Sequence, residues 1–237
     1  MQLKIIHILE WLLFGTLLLA ANAGLFSGTP KADWLLVPSA VAQGQWWRLL
    51  LHPWVHVSAY HLLLDASAFL CLFFMLDRTR LGERWFILAA AWAGQLLAVW
   101  WGEPRLEALG LCGLSGTAHG LFAAVCVQWC RQPERRTAGT VLLLGLIAKS
   151  IWEALAGQAF LASWHIGPVG NPLTLCHAGG VLAGFAAGLS CNFKLFFKNR
   201  FKRCILLIGN GLYICLGALT GINRVFPGNT IRQQPHR

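Results

Sequence analysis

The chain carries little charge of either sign. Only 12% of its 237 residues are Asp, Glu, Lys or Arg, and nine of them are acidic. A soluble globular domain has about a quarter charged residues, so that class is excluded. No polar linker divides the chain, and no internal repeat of the kind that builds many transporters is visible. Eight cysteines are present, but Cys71, Cys126, Cys191 and Cys215 fall inside apolar runs, and no spacing fits a disulfide or zinc framework. Such cysteines act as small hydrophobes. The His-Glu-x-x-His of zinc proteases is missing. The Gly-x-Ser-x-Gly elbow of soluble hydrolases fails at its last position, where Thr117 stands. The first apolar run lacks a small-residue cleavage site with a soluble domain behind it, which reads as a retained span.

What the chain has instead is long apolar runs, with 57% of all residues hydrophobic. They fall at about residues 5–23, 58–76, 85–101, 113–130, 138–156 and 173–193, with a last one at about 204–221. Each approaches the roughly 20 residues that cross a bilayer as a helix. The fold class expected is therefore an all-α polytopic membrane protein, with six core transmembrane helices and a seventh C-terminal apolar helix. The expected organisation is a six-helix membrane domain over 1–203, an additional apolar helix over 204–221 and a polar tail over 222–237. Between the first two runs lies a long connection, about residues 24–57, rich in Trp34, Trp46, Trp47 and Trp54. That composition suits the headgroup region, and a long loop without regular structure is uncommon unless functional.

The formal net charge of +10 does not point to nucleic acid, because the basic residues cluster in short loops. With the N-terminus cytoplasmic, inside segments hold twelve Lys/Arg: Lys4, three in residues 77–84, three in 131–136 and five in 194–203. Outside loops hold Lys31, Arg48 and Arg105 only. This asymmetry sets the orientation. A full crossing by the seventh run would place Arg224, Arg232 and Arg237 outside, against the same rule.

In this orientation His61, Ser115 and His177 lie near the outer ends of spans two, four and six. Asp65 sits one turn deeper than His61 on the same face. Ionisable residues inside a membrane are costly and by default suggest function. Ser115, between Leu114 and Gly116, opens a helix whose first amides favour developing negative charge. A serine becomes a nucleophile when a base takes its proton, and histidine is the usual base. His177 is followed by Gly180, Gly184 and Gly188, a stripe that lets one membrane helix press on another. If that partner is span four, His177 comes within reach of Ser115. The plainer alternative is glycine packing around a buried histidine. His52 and His56 read as hydrogen-bonding residues that hold the long connection, with metal ligation as the alternative. Lys149 and Glu153, at i,i+4 within span five, read as an intrahelical ion pair or a polar contact in the bundle.

Taken together, Trp47-Arg48, His52-x3-His56-x4-His61-x3-Asp65, Gly113-Leu114-Ser115-Gly116 and His177-x2-Gly180-x3-Gly184 resemble the rhomboid intramembrane serine proteases. The resemblance runs from about residue 46 to 189. It implies Ser115 as nucleophile, His177 as general base, and His61 with the Ser115 amide as oxyanion support, Gly113 and Gly116 flanking the serine. Asp65 stands where the family commonly has asparagine. An ionised carboxylate there would repel an oxyanion, so Asp65 is either protonated by burial or orients His61. His119 stands where many members have an aromatic residue that stacks on the catalytic histidine. The alternatives for it are stacking or hydrogen-bonding support and service as the base.

The pattern Gly-x-Ser-Gly-x-x-His-Gly in a compact chain is similar to the rhombosortase branch. That similarity implies removal of glycine-rich (GlyGly-CTERM-type) C-terminal sorting tags from secreted or surface proteins of Gram-negative bacteria. The expected partners are membrane-anchored substrates with a C-terminal transmembrane tag and the lipid bilayer, with no nucleic acid and no cofactor or metal. The expected location is the bacterial inner membrane, with the site toward the periplasm. The rival readings are a catalytically inactive rhomboid-like binding protein, a haem-binding electron carrier using histidines from several spans, and a small-molecule transporter.

Overall fold

The computed structural model describes residues 2–27, 31–76, 81–160 and 162–191. The last apolar run and the tail, 204–221 and 222–237, lie outside the described residues. Those described are all-helical, with a single antiparallel bridge between Leu36 and Leu111 in place of any strand. In chain order the helices are α1 (Gln2–Asn22), α2 (Pro38–Ala42), α3 (Trp47–Leu51), α4 (Ala59–Met75), α5 (Leu81–Gly102), α6 (Leu106–Leu109), α7 (Ser115–Cys130), α8 (Arg136–Ala156) and α9 (Leu175–Ser190).

Each of the first six apolar runs forms one long helix. Among the described residues, three stretches are long and apolar enough to cross a membrane: Ile5–Leu25, Leu81–Gly102 and Arg136–Ala156. A fourth results if Trp47–Trp54 and Ala59–Met75, bent by 93° at their junction, count as one broken span. At 16 residues each, α7 and α9 are shorter. With about 1.5 Å of rise per residue they reach roughly 24 Å, less than the ~30 Å hydrocarbon layer. They are also the innermost pair, packed on each other and, for α9, on α5. Eleven of the 16 residues of α7 are buried, so it meets protein on most sides rather than lipid. By contrast, α1 turns Ile8, Leu9, Leu12 and Leu19 outward.

Helix contacts explain why small residues recur in the centre. A Cβ on Gly180 would fall on the Gly116 carbonyl, one on Gly184 on the Gly120 carbonyl, and one on Gly179 on the Gly94 carbonyl. Gly188 lies against Ala124, where an added Cβ would come within 3.0 Å of its Cα. Thus α9 is pressed between α7 and α5 with backbone nearly touching backbone, the geometry small residues permit in membrane bundles. On the other side, Phe14 of α1, Phe69 and Phe73 of α4, and Ile87 of α5 make a buried aromatic core. There Phe14 meets Phe69 and Phe73 edge to face, both at 5.0 Å between centroids.

The connection between α1 and α4, expected as a loop without regular structure, contains the short helices α2 and α3 and is held by polar contacts. Arg48 donates to the carbonyls of Leu35 (2.7 Å) and Ala32 (3.2 Å) and to Gln45 Oε1 (2.7 Å). His52 Nδ1 donates to the Arg48 carbonyl at 3.0 Å. Asn22, at the end of α1, donates to the Trp54 carbonyl and accepts from the His56 amide. Glu107, just after α5, accepts from the Ser39 amide and hydroxyl, which holds its carboxyl below the usual glutamate range.

Candidate active site

The loop before α7 sets up the site. Gly113 has φ +91°, a conformation glycine adopts without the penalty a side chain would carry. Its surroundings exclude a side chain too, since an added Cβ would lie 2.7 Å from Asp65 Oδ2 and 3.0 Å from His61 Nε2. Helical geometry therefore begins at Ser115 rather than at Gly113, two residues later than the apolar run suggested. The Gly113 amide donates to the His52 carbonyl (3.1 Å), and the Leu114 amide donates to Asp65 Oδ2 (2.8 Å). No side chain caps α7. Its first amides, those of Ser115 and Gly116 among them, have no partner within the helix.

Across from this terminus stands the first turn of α9. His177 Nε2 lies 3.0 Å from Ser115 Oγ. The other ring nitrogen, Nδ1, lies 2.8 Å from Glu153 Oε2 on α8. His119 stacks on His177 with centroids 4.1 Å apart and planes 10° from parallel. Its Nδ1 donates to the Ser115 carbonyl at 2.7 Å, and its Nε2 lies 2.8 Å from Lys149 Nζ. Lys149 in turn reaches Glu153 Oε2 at 2.7 Å. Glu153 is 1% exposed and His177 7%, so the cluster is removed from water except where it faces the cavity.

That cavity, about 450 Å³, is lined by Ser115, His177, His61, Asp65, Lys149 and Glu153 among others. One of its walls comes from residues 159–160 and 165–173 before α9, tied to α4 by the Ser58 hydroxyl, which donates to the Pro168 carbonyl. The Phe160 amide donates to Glu153 Oε1 at 2.8 Å, so the same carboxylate that meets His177 also anchors this wall.

The structure thus brings together Ser115, His177 and His119 and adds Lys149 and Glu153, which the sequence had not placed in the site. The Lys149–Glu153 pair is present, but it joins His119 and His177 and does not stand apart on its helix. His61 Nε2 lies 3.2 Å from Asp65 Oδ2, and His56 Nε2 lies 3.4 Å from the same oxygen. Asp65 therefore lies beside His61 and His56 and accepts from the Leu114 amide. The His61 Nδ1 has no hydrogen-bond partner among the described residues. His52 and His56 are fully buried and tie the connection to the helices around it, His52 meeting Gln95 of α5 and His56 meeting Asn22 of α1.

Ligand-type atoms of His119, Glu153 and His177 lie within 4.8 Å of one another, a separation a metal ion could bridge. Lys149 Nζ is bonded to two of the three, so an ammonium already supplies the positive charge at that point. The face-to-face contact of His119 and His177 leaves no space between their rings for a haem.

Fold and site define an integral membrane protein of apolar helices with a serine–histidine pair on a cavity. A family model, the Rhomboid domain, matches residues 43–192, which is more than half of the chain. The chain belongs to the rhomboid family, a family of intramembrane serine proteases that also has inactive members. No curated protein and no solved structure matched the chain.

Proposed function

We propose that the chain is an active intramembrane serine endopeptidase, with Ser115 as nucleophile and His177 as general base. The observation that carries this reading is the 3.0 Å approach of His177 Nε2 to Ser115 Oγ beside an open cavity. That distance lies within the reach a base needs to take the hydroxyl proton. Ser115 Oγ bonds to the scissile carbonyl carbon as its proton passes to His177 Nε2. The proton then goes to the leaving amine when the C–N bond breaks. Water opens the acyl-enzyme by the same route in reverse. The Ser115 amide, with His61 once it turns toward the site, supports the oxyanion. Asp65 acts on His61 and the Leu114 amide, and His119 supports the His177 ring by stacking.

Six helices, α1, α4, α5, α7, α8 and α9, form the membrane core, with α7 and α9 shielded from lipid by the others. The N-terminus is cytoplasmic, as loop charges require, and the cavity opens toward the periplasmic side of a bacterial inner membrane. The substrates are membrane-anchored proteins cut near the outer end of a transmembrane segment. Among these, glycine-rich C-terminal sorting tags fit the Gly-x-Ser-Gly-x-x-His-Gly pattern of the rhombosortase branch.

A reporter ending in a glycine-rich junction, a transmembrane helix and a basic tail tests this reading on co-expression. Release by the wild type and none by Ser115→Ala at equal expression supports it. Release undiminished by Ser115→Ala contradicts it.

A further inference from the structure

We propose that Glu153 is the third member of a Ser115–His177–Glu153 triad, a positioning residue that acts through His177 and is held in place by Lys149. This rests on the reading of Ser115 and His177 as nucleophile and base. The first ground is geometric: Glu153 Oε2 lies 2.8 Å from His177 Nδ1, the nitrogen on the far side of the ring from Ser115. A carboxylate only accepts, so Nδ1 carries a proton, and in the neutral ring Nε2 then presents its lone pair to the serine hydroxyl. That is the tautomer a general base requires, and an acid in this position also stabilises the imidazolium that forms.

The second ground is that the donors and acceptors close into a circuit with no conflict. Lys149 only donates, so His119 Nε2 accepts from it and His119 Nδ1 carries the proton given to the Ser115 carbonyl. From Ser115 Oγ the bonds run to His177, Glu153, Lys149 and His119, and return to the Ser115 main chain. One consequence is that His119 cannot be the base, because its only lone pair is engaged by Lys149. A second is that the buried Glu153 charge has a cation 2.7 Å away. A buried carboxylate persists in ionised form only with such pairing.

During acylation, the Ser115 hydroxyl proton moves to His177 Nε2 while Nδ1–H remains donated to Glu153. When the C–N bond breaks, the Nε2 proton leaves with the amine. Glu153 takes up no proton at any step.

Replacement by glutamine disrupts this arrangement whichever way the amide turns. The two Glu153 oxygens accept from Phe160 N on one side and from Lys149 and His177 on the other. A glutamine NH2 must face one set of donors. Toward His177, it favours the tautomer with Nε2 protonated.

The test uses the full chain in detergent and a fluorophosphonate probe at increasing concentration, so that the maximal labelling rate kinact separates from the probe affinity KI. Wild type, Glu153→Gln, Glu153→Asp and Ser115→Ala are compared, with the melting transition of each recorded. The expected result for Glu153→Gln is kinact lower by about 10²-fold or more with KI within about threefold. Glu153→Asp, whose carboxylate is retracted by one methylene, should fall between glutamine and wild type. A lowered melting temperature with wild-type kinact in the folded fraction would mean that Glu153 only anchors the cavity wall, and overturns the proposal. If Glu153→Gln does not fold, Glu153→Asp decides, and wild-type kinact in that variant also overturns it. Absence of Ser115-dependent labelling in the wild type is a different failure, that of the protease reading itself.

Discussion

Glu10 and Arg84, which join α1 to α5, and Glu153 and Lys149, on α8, are both acid–base pairs largely withdrawn from water, yet their surroundings differ. Arg84 and Glu10 are bonded directly, with side chains 0% and 5% exposed. The guanidinium carbon lies 4.6 Å from the centre of the Phe73 ring, and the Trp85 indole donates to the Glu10 carboxylate. His7 Nδ1 lies 3.1 Å from the other Glu10 oxygen. Glu153 is as deeply buried, but its oxygens are shared among Lys149, His177 and the Phe160 amide, and it lines the cavity. Burial alone therefore does not distinguish a structural ion pair from one built into a site. Each acid also meets a histidine, His7 for Glu10 and His177 for Glu153, and what distinguishes the site is open volume and a ring whose second nitrogen faces the Ser115 hydroxyl.

The difference predicts separable effects. Ser115→Ala or His177→Ala should lower reporter cleavage by about 10⁴-fold or more with an unchanged melting transition. Glu10→Leu should do the opposite. Leaving Arg84 buried without its carboxylate should cost about 3–5 kcal/mol, seen as a lower melting temperature, while turnover per folded molecule is kept. Replacing both Glu10 and Arg84 with apolar residues of similar volume should recover most of that loss. Should Glu10→Leu abolish turnover in the folded fraction, the contrast between the two pairs fails.

Between these extremes lie the residues that hold α7 and α9 together. Gly180→Ala places a methyl on the Gly116 carbonyl, so the helices must part beside the serine. Overpacking of this kind costs about 1–3 kcal/mol, and a shift of about 1 Å between base and nucleophile is worth roughly 10² in rate. Gly184→Ala, one turn farther from His177, should lower stability comparably and rate less. Asp65→Leu should lower the melting temperature by leaving the Leu114 amide without an acceptor, at about 1–3 kcal/mol, whereas Asp65→Asn retains an oxygen for it.

The smallest effect concerns the carboxylate of Glu107 in the short helix α6, outside the membrane spans. Ser39 holds its carboxyl below the ordinary glutamate range. Its contribution to loop order is therefore present above the unfolded-state value and lost as pH falls through the lower folded-state value. Hydrogen exchange at the Ser39 amide should accordingly rise in acid relative to its neighbours, and Glu107→Gln should remove that step.

Much of the architecture was legible because a bilayer demands long apolar helices, and the six runs became α1, α4, α5, α7, α8 and α9. Boundaries moved where local geometry intervened, as at Gly113, whose left-handed backbone delays α7 to Ser115. The connection over residues 24–57 was not legible. Its order comes from partners far away in sequence, such as Leu36 with Leu111 and Ser39 with Glu107. In the site, serine and histidine beside glycines carried a readable signal, whereas Glu153 reads from sequence only as an intrahelical partner of Lys149 or an unspecified polar contact in the bundle. Spacing within one helix explains that pair fully and cannot reveal a facing ring on α9. The signal was nonetheless there, because an ionisable pair inside an apolar run meets the same criterion that singled out His61 and Asp65.

The most direct test of the account compares fluorophosphonate labelling in His177→Ala and Glu10→Leu, each normalised to its folded fraction. The account predicts that His177→Ala loses Ser115-dependent labelling and Glu10→Leu keeps it at the wild-type rate. Labelling of Ser115 that persists without His177 would contradict the assignment of that histidine as the base.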